Sequence, residues 1–138
     1  MSPRGQRLVY LDTGPLYALA DRRDQAHDQA RKLFGRLVDE RVEAICPTST
    51  LLELHSLMLH RELHNAHEIA RVTARSYTPA YPTAEDMSAA LKTVFKFSDQ
   101  GISLTDAVLV SMAARADAQV LTLDMRHFVL MEATLYAA

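Results

Sequence analysis

Three short apolar runs limit what this chain can fold into. They are Leu8-Val9-Tyr10-Leu11, Val42-Glu43-Ala44-Ile45-Cys46 and Gln119-Val120-Leu121-Thr122-Leu123, each four or five residues long. Short, largely apolar runs of this kind are strands covered on both faces, as in parallel sheets. Long segments with helical spacing separate them. Between residues 25 and about 40, Ala26, Ala30, Leu33, Leu37 and Val38 fall on one helical face. A short helix is predicted at 16–20. Two more are predicted at 51 to about 63, where Thr48, Ser49 and Thr50 are all good N-caps, and at about 65–75. Residues 77–82 carry two prolines and read as extended. Thr83-Ala84-Glu85-Asp86 resembles a capping box opening a helix to about Phe97, and Ser103-Leu104-Thr105-Asp106 opens an almost wholly apolar helix over 107–116. Residues 124–128 read as a turn or short helix, and 133–136 as a last short strand. The order strand, helices, strand, helices, strand predicts a parallel α/β sheet with helices on both faces.

Length and charge narrow the function classes. At 138 residues, 49% of them apolar, residues 1–138 are expected to form a single domain with its own core. No apolar run approaches the ~20 residues needed to cross a bilayer. The basic start, Met1-Ser2-Pro3-Arg4-Gly5-Gln6-Arg7, precedes an apolar run too short for a signal peptide. A lone cysteine, Cys46, cannot form an internal bridge, which suits a reducing cytoplasm. With 17 acids against 15 bases the net charge is −2, so a strongly basic nucleic-acid binder is not indicated, although a small nuclease remains open.

The chemistry is expected at four acids. Asp12 follows the first strand, and Glu53 lies in the first turn of the helix after the second. Asp106 opens the helix leading to the third strand, and Asp124 follows that strand. In open parallel sheets the ligand crevice lies beyond the carboxyl ends of the strands, where these acids are predicted to meet. Converging carboxylates repel one another, and a divalent cation removes the conflict. Mg²⁺ and Mn²⁺ favour such oxygen ligands, and a metal-bound water can attack a phosphodiester. Capping offers a simpler account: Thr50-x-x-Glu53 and Ser103-x-x-Asp106 both have capping-box spacing.

Leu11-Asp12-Thr13, Leu52-Glu53-Leu54, Leu104-Thr105-Asp106-Ala107 and Leu121-Thr122-Leu123-Asp124, with Phe128 four residues on, together resemble a PIN domain. They are most similar to the VapC-type toxins of toxin–antitoxin pairs. The resemblance covers about residues 7–136, and residues 21–27 look like the family's Asp-rich loop. It implies a three-layer α/β/α fold around a central, mostly parallel short-stranded sheet. It also implies an Mg²⁺- or Mn²⁺-dependent endoribonuclease with Asp12, Glu53, Asp106 and Asp124 as catalytic metal ligands. Asp12 and Asp106 would be central, with Thr13 and Thr122 in support. The implied partners are RNA, a cognate antitoxin and a second copy of the chain. A PIN-class RNA-processing nuclease and a non-catalytic binding module of the same fold are the alternatives.

Many members of that family carry a further Asp just before the final Phe, where this chain has His127. His127 reads first as a solvated turn residue, and otherwise as a contact for RNA phosphate. Arg22, Arg23 and Arg126 are candidate phosphate contacts in loops near the proposed edge. Leu52, Leu59 and Leu63 lie near one stripe of their helix. The stripe reads first as core, and otherwise as an antitoxin-docking surface.

Two motifs mislead. Asp12-Thr13-Gly14 matches the aspartic protease triplet, but that fold is all-β. His60-Arg61-Glu62-Leu63-His64 is similar to a zinc protease helix, yet the glutamate stands two places after the first histidine rather than one. His55 and His67 add to the appearance of a histidine cluster on a solvated or packed helix.

Overall fold

The computed structural model describes residues 5–137, so the first four residues of the basic start at 1–7 lie outside the described residues. The elements are β1 (Leu8–Leu11), α1 (Thr13–Ala20), α2 (His27–Asp39), β2 (Glu43–Pro47), α3 (Thr48–His60) and α4 (Ala66–Ser76). They continue with β3 (Thr78–Ala80), α5 (Ala84–Lys96), α6 (Leu104–Arg115), β4 (Gln119–Leu121) and α7 (Met125–Leu130). The four strands form one parallel sheet in the order β3-β2-β1-β4, with Tyr10 opposite both Ile45 and Val120.

Alternation along the strands builds two cores. Val9, Leu11, Cys46 and Leu121 point to one face and pack with Leu16, Phe34, Leu54 and Met58 from α1, α2 and α3. Tyr10, Ile45 and Val120 point to the other face and pack with Ala90, Leu109, Met112 and Phe128 from α5, α6 and α7. The expected α/β/α layering and parallel sheet are both present.

Several local expectations are corrected. The extended segment around Pro79 is strand β3, paired with β2 at the sheet edge, where a residue without an N–H is tolerated. Helix α3 starts at Thr48 rather than 51, with Pro47 as N-cap and no side-chain cap. Thr50 is therefore not a cap: its buried hydroxyl donates to the Leu11 carbonyl at 3.0 Å, tying α3 to the end of β1. The same helix ends at His60, so His60 and His64 share no helical face. Helix α2 starts at His27, because Asp24 Oδ1 first accepts the Ala26 N–H in a turn. Helix α6 begins at Leu104, on the Ser103 cap.

Residues 133–136 make only a single parallel bridge, Val120 to Leu135. Tyr136 then turns inward, buried, and its hydroxyl donates to Glu40 at 2.9 Å. The expected leucine stripe is broken: Leu63, beyond the end of α3, packs against the core, but Leu52 and Leu59 on α3 are 70% and 49% exposed. Among the described residues no helix is long and apolar enough to cross a membrane.

Helices α5 and α6 are clamped by one buried acid. Asp86 is the N3 residue of the α5 capping box, bonded to the Thr83 N–H at 2.9 Å. Its carboxylate also takes the Ser111 hydroxyl at 2.9 Å and the Arg115 guanidinium at 2.7 Å, both from α6. Burial opposes its ionisation, but Arg115, Thr83 and Ser111 outweigh burial and hold the carboxyl below the usual range. Arg115 stays half-exposed, so removing the acid does not strand a buried cation. Asp86→Ala is expected to cost about 2–3 kcal/mol in urea unfolding, the scale of lost charge-assisted bonds. Because the folded pKa is depressed, this stabilisation is present above the unfolded value of about 4 and is lost as pH falls below it.

Candidate active site

The strand order reverses at β1. The chain runs outward through β2 and β3 on one side, and β4 returns on the other. In open α/β sheets such a reversal opens a crevice at the strand ends, here beyond Leu11 and Leu121.

Asp12 stands at those strand ends, 6% exposed, as the N-cap of α1. Both its oxygens are held: Oδ1 accepts the Thr13 N–H and Oδ2 the Thr122 hydroxyl, each at 2.8 Å. The Asp12 N–H continues the sheet to the Leu121 carbonyl at 3.0 Å. Thr122, buried just after β4, also accepts the Asp124 N–H at 2.9 Å. One hydroxyl thus joins the acids that follow β1 and β4. Asp124 caps α7, its Oδ1 accepting the His127 N–H at 3.3 Å.

Asp106 stands in the first turn of α6, where its N–H donates to Ser103 Oγ at 3.0 Å. Glu53 lies in the second turn of α3, half-buried. With Thr50 engaged elsewhere, capping does not explain Glu53.

The four acids feel one another. Burial pushes the Asp12 carboxyl up to about 6; Thr122 and the Thr13 N–H oppose the rise, and the Glu53 and Asp124 charges add to it. Burial also pushes Asp106 up to about 7, helped by the charges of Asp12, Glu53 and Asp124 and opposed by Ser103. The donors are carboxylate oxygens, backed by a buried Thr13 hydroxyl that has no hydrogen-bond partner. Crowded oxygen donors that resist joint ionisation suit a hard divalent cation.

His127 is not a free turn residue. Its Nδ1 lies 2.8 Å from Asp124 Oδ2 and its side chain is 21% exposed. Ligand atoms of Asp106, Asp124 and His127 all fall within 4.8 Å of one another. The sequence signal for this contact is the spacing Asp124-x-x-His127 at a helix start, where N-cap and N3 meet.

Arg126 is exposed beside Asp124 and donates to Gln100 Oε1 at 3.2 Å. Arg22 and Arg23 are not gathered with the acids. The eight residues of α1, about 12 Å of helix, separate them from Asp12. Their loop instead leans on the far end of α3, where Arg61 approaches Asp24 at 4.0 Å. His55 and His67 bond to each other at 2.8 Å across α3 and α4.

The chain matches the PIN domain family over residues 9–131 and belongs to it. Among solved structures it is similar to the Mycobacterium tuberculosis toxin VapC20, described as cleaving the sarcin-ricin loop. That match has a TM-score of 0.79 and 20% identity, covering 93% of this chain and 98% of that one. It is also similar to VapBC2 from Rickettsia felis, solved with a fragment of its promoter DNA (TM-score 0.71, 12% identity, 94% and 97% covered). A third similar structure is VapBC-1 from nontypeable Haemophilus influenzae (TM-score 0.69, 16% identity, 94% and 96% covered). At these identities the likeness is one of fold. No curated protein sequence matches the chain.

The raised carboxyls give a stability test. A folded pKa above the unfolded one stabilises fully below the unfolded value, and this contribution is lost as pH rises through the folded one, here between about 4 and 7. Asp106→Asn removes one repelling charge and should raise the metal-free thermal midpoint at pH 7.5, by about 2–4 °C for each kcal/mol released. Saturating Mn²⁺ should raise the wild-type midpoint more at pH 7.5 than at pH 5.5, and scanning calorimetry with and without the ion checks both.

Proposed function

We propose that this chain is a divalent-metal-dependent endoribonuclease, a single cytoplasmic domain acting as the toxin of a toxin–antitoxin pair. The observation that carries the reading is the convergence of Asp12, Glu53, Asp106 and Asp124 at the strand-order reversal of a PIN-family chain. The VapC20 and VapBC neighbours support the toxin part by likeness of fold.

Asp12 and Asp106 are the central ligands in this reading, with Glu53 and Asp124 completing the set. When bound, Mg²⁺ (or Mn²⁺ in its place) supplies the Lewis acidity that activates a water and holds the charge growing on the phosphate. The chain's own part is preorganisation. Thr13 and Thr122 fix the Asp12 carboxylate in one orientation, so no reorganisation is needed when substrate arrives. Burial of Asp12 limits its competing water. Arg126 stands on the same short helix as the Asp124 cap and supplies a contact for RNA phosphate. Hydrolysis adds water across the phosphodiester: the new P–O bond forms, the old one breaks, and the leaving oxygen takes a proton.

Exposed apolar stripes support the protein partners. Leu52 and Leu59 flank the Glu53 helix and suit an antitoxin segment. Met87, Leu91 and Phe95 recur every fourth residue on α5, exposed, and suit a second copy of the chain.

Purified protein is expected to cut total RNA into discrete fragments with Mg²⁺ or Mn²⁺ and to stop with EDTA. Asp12→Asn should lower cleavage at least about 100-fold, and Thr122→Val, which frees Asp12 Oδ2, by about 10–100-fold with the fold intact. Cleavage surviving EDTA or Asp12→Asn would overturn the reading. Acid-dependent cation binding without cleavage of any RNA would favour the binding module, and cleavage without an antitoxin partner in the cell would favour an RNA-processing role.

A further inference from the structure

Resting on that cation site, we propose that His127 supplies it with a nitrogen ligand beside Asp106 and Asp124. This ligand turns its preference from Mg²⁺ towards borderline ions such as Mn²⁺ and Co²⁺.

The spacing of donors carries the inference. In an octahedron with bonds of about 2.1 Å, neighbouring donors stand about 3.0 Å apart and opposite ones about 4.2 Å. The 2.8 Å between His127 Nδ1 and Asp124 Oδ2 suits neighbouring positions. The 4.8 Å limit on all three donors brings Asp106 within a small side-chain adjustment of the same ion. Coordination through Nδ1 uses the neutral ring in its Nε2–H tautomer.

Helix geometry holds the ring there. Phe128, wholly buried, fixes the rotation of α7. The Asp124 carboxylate already caps the helix through the His127 N–H, so the imidazole is not needed for capping. The ring is the less exposed partner, 21% against 44% for the Asp124 side chain, so it lies down against the acids instead of reaching into water. Carboxylates suit Mg²⁺ and Mn²⁺ alike, whereas an imidazole nitrogen favours transition ions and offers Mg²⁺ little.

The test titrates wild type, His127→Ala and His127→Asp with Co²⁺ and with Mg²⁺ by calorimetry, and records nitrogen coupling to bound Mn²⁺ by pulsed electron paramagnetic resonance. His127→Ala should weaken Co²⁺ about tenfold or more while Mg²⁺ changes less than about threefold, and the nitrogen coupling should vanish. His127→Asp should likewise weaken Co²⁺ while binding Mg²⁺ at least as tightly as wild type. Losses equal for both ions, no loss for Co²⁺, or no nitrogen coupling in wild type would overturn the inference. Should either variant fail to fold, the wild-type coupling decides alone. Asp106→Asn separates the two readings. Mg²⁺ binding that it leaves untouched overturns the acidic site itself, whereas acid-dependent Mg²⁺ binding with His127-independent Co²⁺ binding overturns only the role of His127.

Discussion

The Thr122 hydroxyl is the interaction on which the rest of this site depends. It donates to Asp12 Oδ2 and accepts from the Asp124 N–H, so it links the residues that follow β1 and β4. Those strands are neighbours only because the chain, having run outward through β2 and β3, crosses back to the other side of β1. A topological reversal thus becomes a chemical contact. Thr50 repeats the device from the other side, its hydroxyl holding α3 to the Leu11 carbonyl one residue before Asp12. Buried hydroxyls that find partners are stabilising, and ones that lose them are costly, so each threonine specifies one arrangement of helix and strand end.

What those contacts assemble is an electrostatic conflict. Asp12 and Asp106 are pushed up to about 6 and about 7, first by burial, then Asp12 by the charges of Glu53 and Asp124, and Asp106 by those of Asp12, Glu53 and Asp124. A fold that only maximised its stability would not collect these charges, and proteins commonly accept such a cost where function requires it. The remainder of the molecule counterbalances it. Both sheet faces are covered, and Asp86, the one deeply buried acid outside the site among the described residues, is paired by Arg115, Ser111 and Thr83. That clamp also fixes α6, whose opposite end carries Asp106. Satisfied charge at one end of the helix steadies unsatisfied charge at the other.

Most of the fold and the candidate site were legible because they follow local rules. Short apolar runs marked β1, β2 and β4 as strands covered on both faces, and strand-then-helix order put Asp12 and Asp124 at one edge. The misreadings have a common cause. Thr50 has ideal capping chemistry, but a carbonyl 39 residues away claims it, and no local pattern encodes that. Leu52 and Leu59 have core character, yet α3 turns them outward, since rotation of a helix is set by what packs on it. Arg22 and Arg23 looked close to the acids in sequence, but α1 carries them off. The extended 133–136 segment shortens to one bridge: Thr134 and Tyr136 both bond Val120, and the Tyr136 ring then turns into the core with its hydroxyl on Glu40.

A polyanion is an awkward partner for a chain of net charge −2 whose crevice is lined with carboxylates. Without a cation, an approaching phosphate meets the same repulsion that raises the Asp12 and Asp106 carboxyls. A bound divalent ion offsets part of that negative charge, relieving the acids and giving the phosphate a cation to bind. The arginines cannot do this alone, since Arg22 and Arg23 are remote and Arg126 is a single exposed charge engaged with Gln100. In the proposed function the cation is therefore part of the substrate-binding surface as well as of the chemistry. RNA affinity at this crevice should then follow occupancy of the acids more closely than the overall charge of the chain.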